Sequence, residues 1–288
     1  MKILVTGATG QLGSKVVDNL LAKVAADNVA VSVRDPRKAD ALAARGVEVR
    51  QGDFDDPASL DKAFAGIDRL LIISATDDND TRIRQHQNAI SAAQRAGVGF
   101  IAYTSVSNAD ENPLFLAPVH RAAEEAIKKT GIPYSFLRNN WYLENELGVF
   151  QAVLAGAPVT VSAGSGKVGW ALREDYAAAA AAVLAGSGHE NTVYELSGAP
   201  ATYDDLAAAL SKALGREVPV QHVDDEAYGR IMAGAGVPQE ALPIVTGIQS
   251  AIREGALEVE RSDFETLLGR PAAALDEAVA KLVNQLKA

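Results

Sequence analysis

The chain has 288 residues, 48% hydrophobic and 22% charged, long enough to bury a full core as one large domain or a large and a small one fused. A formal charge of −10 offers no electrostatic footprint for nucleic acid, so no such partner is expected and any anionic ligand must be held locally. Without cysteine there is no disulfide, thiolate metal site or cysteine nucleophile, and His86, His120, His189 and His222 lack metal-ligand spacing, so no metal is expected.

Strands are predicted at 2–6, 29–34, 47–51, 69–74, 100–105 and 134–137, where short β-branched runs occur. Between them, 11–24, 36–44, 59–65, 80–96 and 119–129 carry apolar residues at helical spacing. This repeated βα rhythm predicts an α/β fold, a doubly wound parallel sheet of Rossmann type. Beyond residue 140 the rhythm breaks. A helix at 145–155, a strand at 159–161, a glycine turn at Gly164 and Gly166, a helix from Glu174 and a strand at 192–196 follow. Thr202-Tyr-Asp-Asp205 reads as the N-cap of a helix to Leu214, and the rest is mostly helical to Leu286. The expected division is a dinucleotide-binding domain at 1–140 and 173–198, and a smaller, mostly helical C-terminal region at 141–172 and 199–288 covering the substrate. The longest apolar run, Ala177–Ala185, is far short of the roughly 20 residues a spanning helix needs, so no membrane partner is expected. The opening MKILVTGATG has no signal-type segment, which makes cytoplasm the default.

The strongest motif is Gly7-Ala8-Thr9-Gly10-Gln11-Leu12-Gly13, a GxxGxxG placed between the first strand and the first helix. Gly7 permits the tight turn, Gly10 lets the backbone approach a pyrophosphate, and Gly13 allows close helix–strand packing. After the second strand, an acid on the ribose 2′-hydroxyl would select NAD. Here Arg34 suits a 2′-phosphate and favours NADP(H), while Asp35, a partner for that Arg, keeps NAD open. Asp53 and Phe54 follow the third strand, where they either meet the adenine or form a turn before the next helix. Ser74 and Ala75 are small enough to let the cofactor pass the fourth strand. Gly164-Ser-Gly166-Lys167 imitates the end of a P-loop, but Val161 and Val168 stand where its first glycine and its Ser/Thr belong, so it is read as a turn.

Taken together, GATGQLG at 7–13, Arg34, GDFDDP at 52–57, AAQRAGV at 92–98, YTS at 103–105, GIPYSFLRNNWYLEN at 131–145, REDYAAAA at 173–180, GHENTVYELSG at 188–198 and LLGRP at 267–271 resemble the NmrA-like family. This is a family of atypical short-chain dehydrogenases/reductases, and the likeness is to its quinone oxidoreductase and triphenylmethane reductase branch over nearly the full length. The resemblance implies NADP(H) lying along the strand ends, with Gly7, Thr9, Gly10, Gln11, Leu12 and Arg34 at its phosphates. It places Ser74 and Ala75 along the cofactor, and Asn139, Asn140, Trp141, Tyr142 and Leu143 near the nicotinamide.

Ordinary short-chain dehydrogenases use a Tyr-x-x-x-Lys pair, and here Leu116 and His120 fall at those positions. Alcohol chemistry and nucleotide-sugar chemistry are therefore disfavoured. A quinone-like or other conjugated aromatic acceptor takes hydride into a delocalised system and its proton from water. His120 is the candidate general acid; the alternative is a surface or ribose-contacting histidine. Trp141 and Tyr142 either sandwich an acceptor ring or anchor the next helix, Tyr103 is read as a packing residue, and Phe115 and Trp170 are further candidate walls. The leading expectation is an NADPH-dependent reductase of such acceptors. Its rival is a protein that senses cofactor redox state and binds a regulatory partner without turnover; a homodimer is left open.

Overall fold

The computed structural model describes residues 1–287. Seven strands, β1 (Ile3–Thr6), β2 (Val29–Val33), β3 (Glu48–Gln51), β4 (Arg69–Ile72), β5 (Phe100–Val106), β6 (Tyr134–Asn139) and β8 (Thr192–Leu196), form one all-parallel sheet in the order β3-β2-β1-β4-β5-β6-β8. The order reverses between β1 and β4, and the carboxyl ends of strands at such a switch point form the ligand crevice of an open α/β sheet. The sheet is doubly wound. One face packs α1 (Gln11–Leu21), the short α2 (Asp40–Ala43) and α7 (Arg173–Ala185); the other packs α3 (Pro57–Phe64), α4 (Asn79–Arg95) and α5 (Ala117–Thr130). Because both faces are covered, β1, β2 and β5 are buried along their whole length and read as mostly apolar runs rather than alternating ones.

The predicted fourth strand ends two residues early, for a local reason. Beyond Ile72 the backbone N–H of Ile73 donates to Thr6 Oγ1 (2.9 Å) and that of Ser74 to Thr104 Oγ1 (2.9 Å), so hydroxyls on the flanking strands replace the ladder. The chain then peels away toward α4.

A second core joins α6 (Leu147–Leu154), α8 (Tyr203–Leu214), α10 (Leu242–Arg253) and α12 (Leu275–Lys287) around Phe150, Trp170, Leu206 and Ile252. It contains a two-stranded parallel sheet of β7 (Val159–Val161) and β9 (Val220–His222). Strand β9 was not expected: it is three residues long and two are exposed, so it shows no apolar alternation. The capping box of α8 forms as expected, with Thr202 and Asp205 bonded reciprocally. Between these helices lie α9 (Asp225–Gly234) and the short α11 (Phe264–Leu268). The two cores are not cleanly divided at residue 199, since Phe264 of α11 is fully buried in the first core against α7. The Gly164–Lys167 segment is a turn: a Cβ on Gly166 would lie 2.3 Å from Ile252 O, and Lys167 pairs with Glu258 at 2.8 Å. Among the described residues no helix is long and apolar enough to cross a membrane.

Candidate active site

The turn from β1 into α1 is built around its glycines. Gly7 lies at φ +61°, a conformation strained for any side chain, and its carbonyl accepts from Gly10 N–H at 3.0 Å. A Cβ on Gly13 would stand 2.2 Å from Gly7 O and 2.8 Å from Ala8 Cα, so only glycine lets α1 approach β1 this closely. Helix α1 starts without a side-chain cap and without an acid in its first turn. Its unpaired N–H groups and positive dipole end are thus available to a phosphate. Thr9, Gly10 and Gln11 are exposed there, whereas the Ala8 and Leu12 side chains are buried and can offer only their backbone.

At the end of β2, Arg34 is exposed and has no carboxylate partner among the described residues. Asp35 is held instead by Arg37, at 2.9 and 3.0 Å, and this pairing keeps its carboxyl below the usual carboxylate range. The arrangement leaves a free guanidinium just beyond the end of β2. After β3, both residues serve a turn: Asp53 Oδ1 accepts from Asp55 N–H (3.0 Å), Asp53 N–H donates to Ser59 Oγ (2.9 Å), and Phe54 packs half-buried on the α3–α4 core.

At the end of β6, Asn139 Nδ2 donates to Tyr142 Oη at 3.0 Å, while its Oδ1 is buried with no partner. That orphaned acceptor suits a donor group on a ligand. Asn140 is spent on structure, donating to Ser197 Oγ (3.0 Å) and Leu257 O (3.1 Å). Trp141 donates its indole N–H to Glu146 Oε1 at 3.0 Å, as does Trp170 at 3.2 Å, so both rings lock onto the short turn that precedes α6. Trp170 also borders a cavity of about 330 Å³ with Ser197 and Gly198. Tyr142 lies under the Arg173 guanidinium (4.8 Å) and edge-on to Tyr176. Leu143 is fully enclosed in the second core, whereas Phe115 is exposed.

Behind the crevice a chain of polar groups runs through the interior. Ala75 N–H donates to His86 Nε2 at 2.9 Å, His86 Nδ1 lies 3.4 Å from Tyr103 Oη, Tyr103 Oη lies 2.9 Å from His120 Nδ1, and His120 Nε2 lies 3.3 Å from an Arg82 Nη. All four side chains are buried. Burial and the Arg82 charge push His86 down to about 4 and His120 to about 3, so both rings are neutral near pH 7. Burial also pushes the Tyr103 phenol far up. His120 is therefore neither on the surface nor an imidazolium, and Leu116 beside it packs as an apolar residue with no proton to give.

Arg82 and His86 escaped the sequence reading, although a signal exists. Helix α4 buries Ala89, Ile90, Ala92 and Ala93, and Arg82, Gln85 and His86 continue that buried face into the first turns. Polar residues standing where an apolar stripe should run mark the spot.

The profile of the NmrA-like family matches residues 1–263. The chain is 41% identical over 283 residues to quinone oxidoreductase 2 of Escherichia coli, covering 98% of this chain and 99% of that protein. Among solved structures it is similar to triphenylmethane reductase of Citrobacter sp. complexed with NADP(H), at 42% identity and a TM-score of 0.93, covering 98% of this chain and 100% of that one. It is equally similar to an NADPH-dependent quinone oxidoreductase of E. coli complexed with NADPH, at 41% identity and a TM-score of 0.93, covering 97% and 99%.

Proposed function

The chain belongs to the NmrA-like family, and on that premise we propose that it is an NADPH-dependent oxidoreductase that passes hydride to a quinone-like or other conjugated acceptor. The observation that carries this reading is the full-length likeness to two reductases complexed with NADP(H), combined with a crevice whose residues fit that cofactor. Gly7, Gly10 and the open N-terminus of α1 hold the diphosphate, and Arg34 holds the 2′-phosphate. Ser74 and Ala75 pass along the cofactor, and the Asn139 carboxamide faces its nicotinamide end with a free acceptor. When bound, NADPH supplies the hydride. The chain contributes positioning: no side chain at the Leu116 position moves a proton, which suits acceptors that need none during hydride transfer.

The test is NADPH oxidation, followed by absorbance, against a panel of quinones and triphenylmethane dyes. Acceptor-dependent oxidation with NADPH preferred over NADH is expected. Tight cofactor binding with no turnover across the panel overturns the reading.

A further inference from the structure

Arg82 is 8% exposed and has no carboxylate partner among the described residues. Asp77, close enough to act on its charge, lies beyond ion-pair distance and is bound by Gln85 Nε2 at 2.9 Å. Arg82 Nε is buried with no partner at all. Its one polar side-chain contact is His120 Nε2 at 3.3 Å. A buried, uncompensated guanidinium costs several kcal/mol in desolvation, which folding alone gives no reason to keep.

The proton count along the buried chain shows what that contact is. Ala75 N–H fixes His86 Nε2 as an acceptor, so the His86 proton sits on Nδ1 and faces Tyr103 Oη. At the other end the Arg82 guanidinium can only donate, so His120 Nε2 accepts at 3.3 Å and the His120 proton sits on Nδ1, facing Tyr103 Oη at 2.9 Å. Arg82 is therefore oriented by a single neutral acceptor, which fixes the guanidinium without answering its charge. A cationic donor fixed at the end of a rigid buried chain, with its charge unanswered, is what an oxyanion site requires.

We propose that Arg82, oriented by His120, forms an oxyanion site that binds the carbonyl oxygen of the acceptor and stabilises it as it becomes a phenolate. This rests on the reductase reading above. The acceptor gains hydrogen with its electron pair as the donor C–H bond breaks, its oxygen takes the negative charge, and a proton from water completes the hydroquinone. His120 stays neutral throughout and is a positioning residue, its Nε2 accepting from Arg82, rather than a proton source. The site discriminates by charge. A quinone becomes anionic on reduction and is favoured, whereas a cationic triphenylmethane dye loses its charge on reduction and meets an uncompensated cation on the way in.

The experiment uses the NADP⁺-loaded protein with 4-nitrophenol as probe, at a pH below the phenol's own pKa, with Arg82→Met and Arg82→Lys alongside. The expected result is that the wild type binds the probe as yellow nitrophenolate, Arg82→Met binds it at least tenfold more weakly without the phenolate band, and Arg82→Lys recovers part of it, with NADP⁺ affinity retained in all three. In turnover, Arg82→Met loses roughly a hundredfold in kcat/KM toward a benzoquinone, the scale of one oxyanion donor, and at least tenfold less toward crystal violet. Absence of the phenolate band in wild type that binds NADP⁺ normally, or equal losses on both acceptors, overturns the proposal. Absence of any acceptor-dependent oxidation sinks the reductase reading instead, and the phenolate titration still decides whether the anion site exists.

Discussion

Helix α5 carries two buried polar residues one turn apart, His120 and Glu124, and each faces a buried arginine in a different way. Glu124 meets Arg138 of β6 through two bonds, at 2.9 and 2.6 Å, and Arg138 is further paired with Asp110 (2.9 Å) and Glu195 (3.4 Å). Ser105 completes the set by donating to Glu124 at 2.6 Å. Every charge there is answered, and the network ties α5 to the ends of β6 and β8. Arg82, by contrast, has a histidine and no carboxylate. The same residue type at similar burial is a structural rivet when its counter-ions are built in, and a binding group when they are left out. Arg138→Met should break this contrast most strongly: it leaves the Glu124 carboxylate buried and unpaired, which costs about 3–5 kcal/mol. The urea midpoint should fall accordingly, and adding Glu124→Leu should recover much of the loss. Arg82→Met removes a buried cation that has no counter-ion, so its midpoint should hold or rise.

Acid sharpens the same comparison from the histidine side. His86 and His120 are held at about 4 and about 3 in the folded chain, against about 6.5 unfolded. Between those values the unfolded state binds more protons, so stability is fully present above pH 6.5 and falls as pH drops toward 4. The slope should be roughly 1 kcal/mol per pH unit for each ring. Urea unfolding at stepped pH checks it, and Arg82→Met should flatten the slope, since the guanidinium helps to keep both rings neutral. An unchanged slope in that variant would mean burial acts alone.

How much of this could be read beforehand depends on range. The βα rhythm is written in short, one-dimensional periods, so the parallel sheet was expected from β1 to β6, and β7 and β8 were expected residue for residue. The glycine turn is equally local, because φ at Gly7 and the closeness of Gly13 to Gly7 O are decided within seven residues. The motifs at 173–180 and 267–271 looked independent, yet they meet in space: Asp175 accepts from Arg270 at 2.7 Å and from Ala273 N–H at 3.1 Å. Nothing in spacing predicts such a pairing across 95 residues. The buried chain was illegible for a related reason. It draws on the loop after β4, on α4, on β5 and on α5, and its meaning lies in a carboxylate that is absent from space rather than from sequence.

The glycine turn and Arg34 bound the comparison at the far end of the crevice, where we propose that the positive end of a helix and a free cation meet phosphate instead of a developing oxyanion. Gly13→Ala places a Cβ 2.2 Å from Gly7 O, and because both sides of that contact are backbone, α1 itself must shift. The expected cost is about 1–3 kcal/mol of stability, with NADPH and NADH affinity lost together, since the diphosphate cradle serves both.

Arg34→Ala is the gentlest change, because Arg34 is exposed and its side chain forms no hydrogen bond or ion pair in the described structure. Thermal stability should not move. NADPH affinity should fall about tenfold to a hundredfold, the worth of one or two charge-assisted hydrogen bonds, while NADH affinity stays level. The comparison is decided by the ratio of the two dissociation constants, measured by quenching of intrinsic fluorescence at two salt concentrations. If Arg34 answers the 2′-phosphate, that ratio collapses in the variant and the salt dependence of NADPH binding weakens with it. If both cofactors weaken equally, Arg34 belongs to the diphosphate and cofactor choice is made elsewhere, with Arg37 next in line despite its pairing to Asp35.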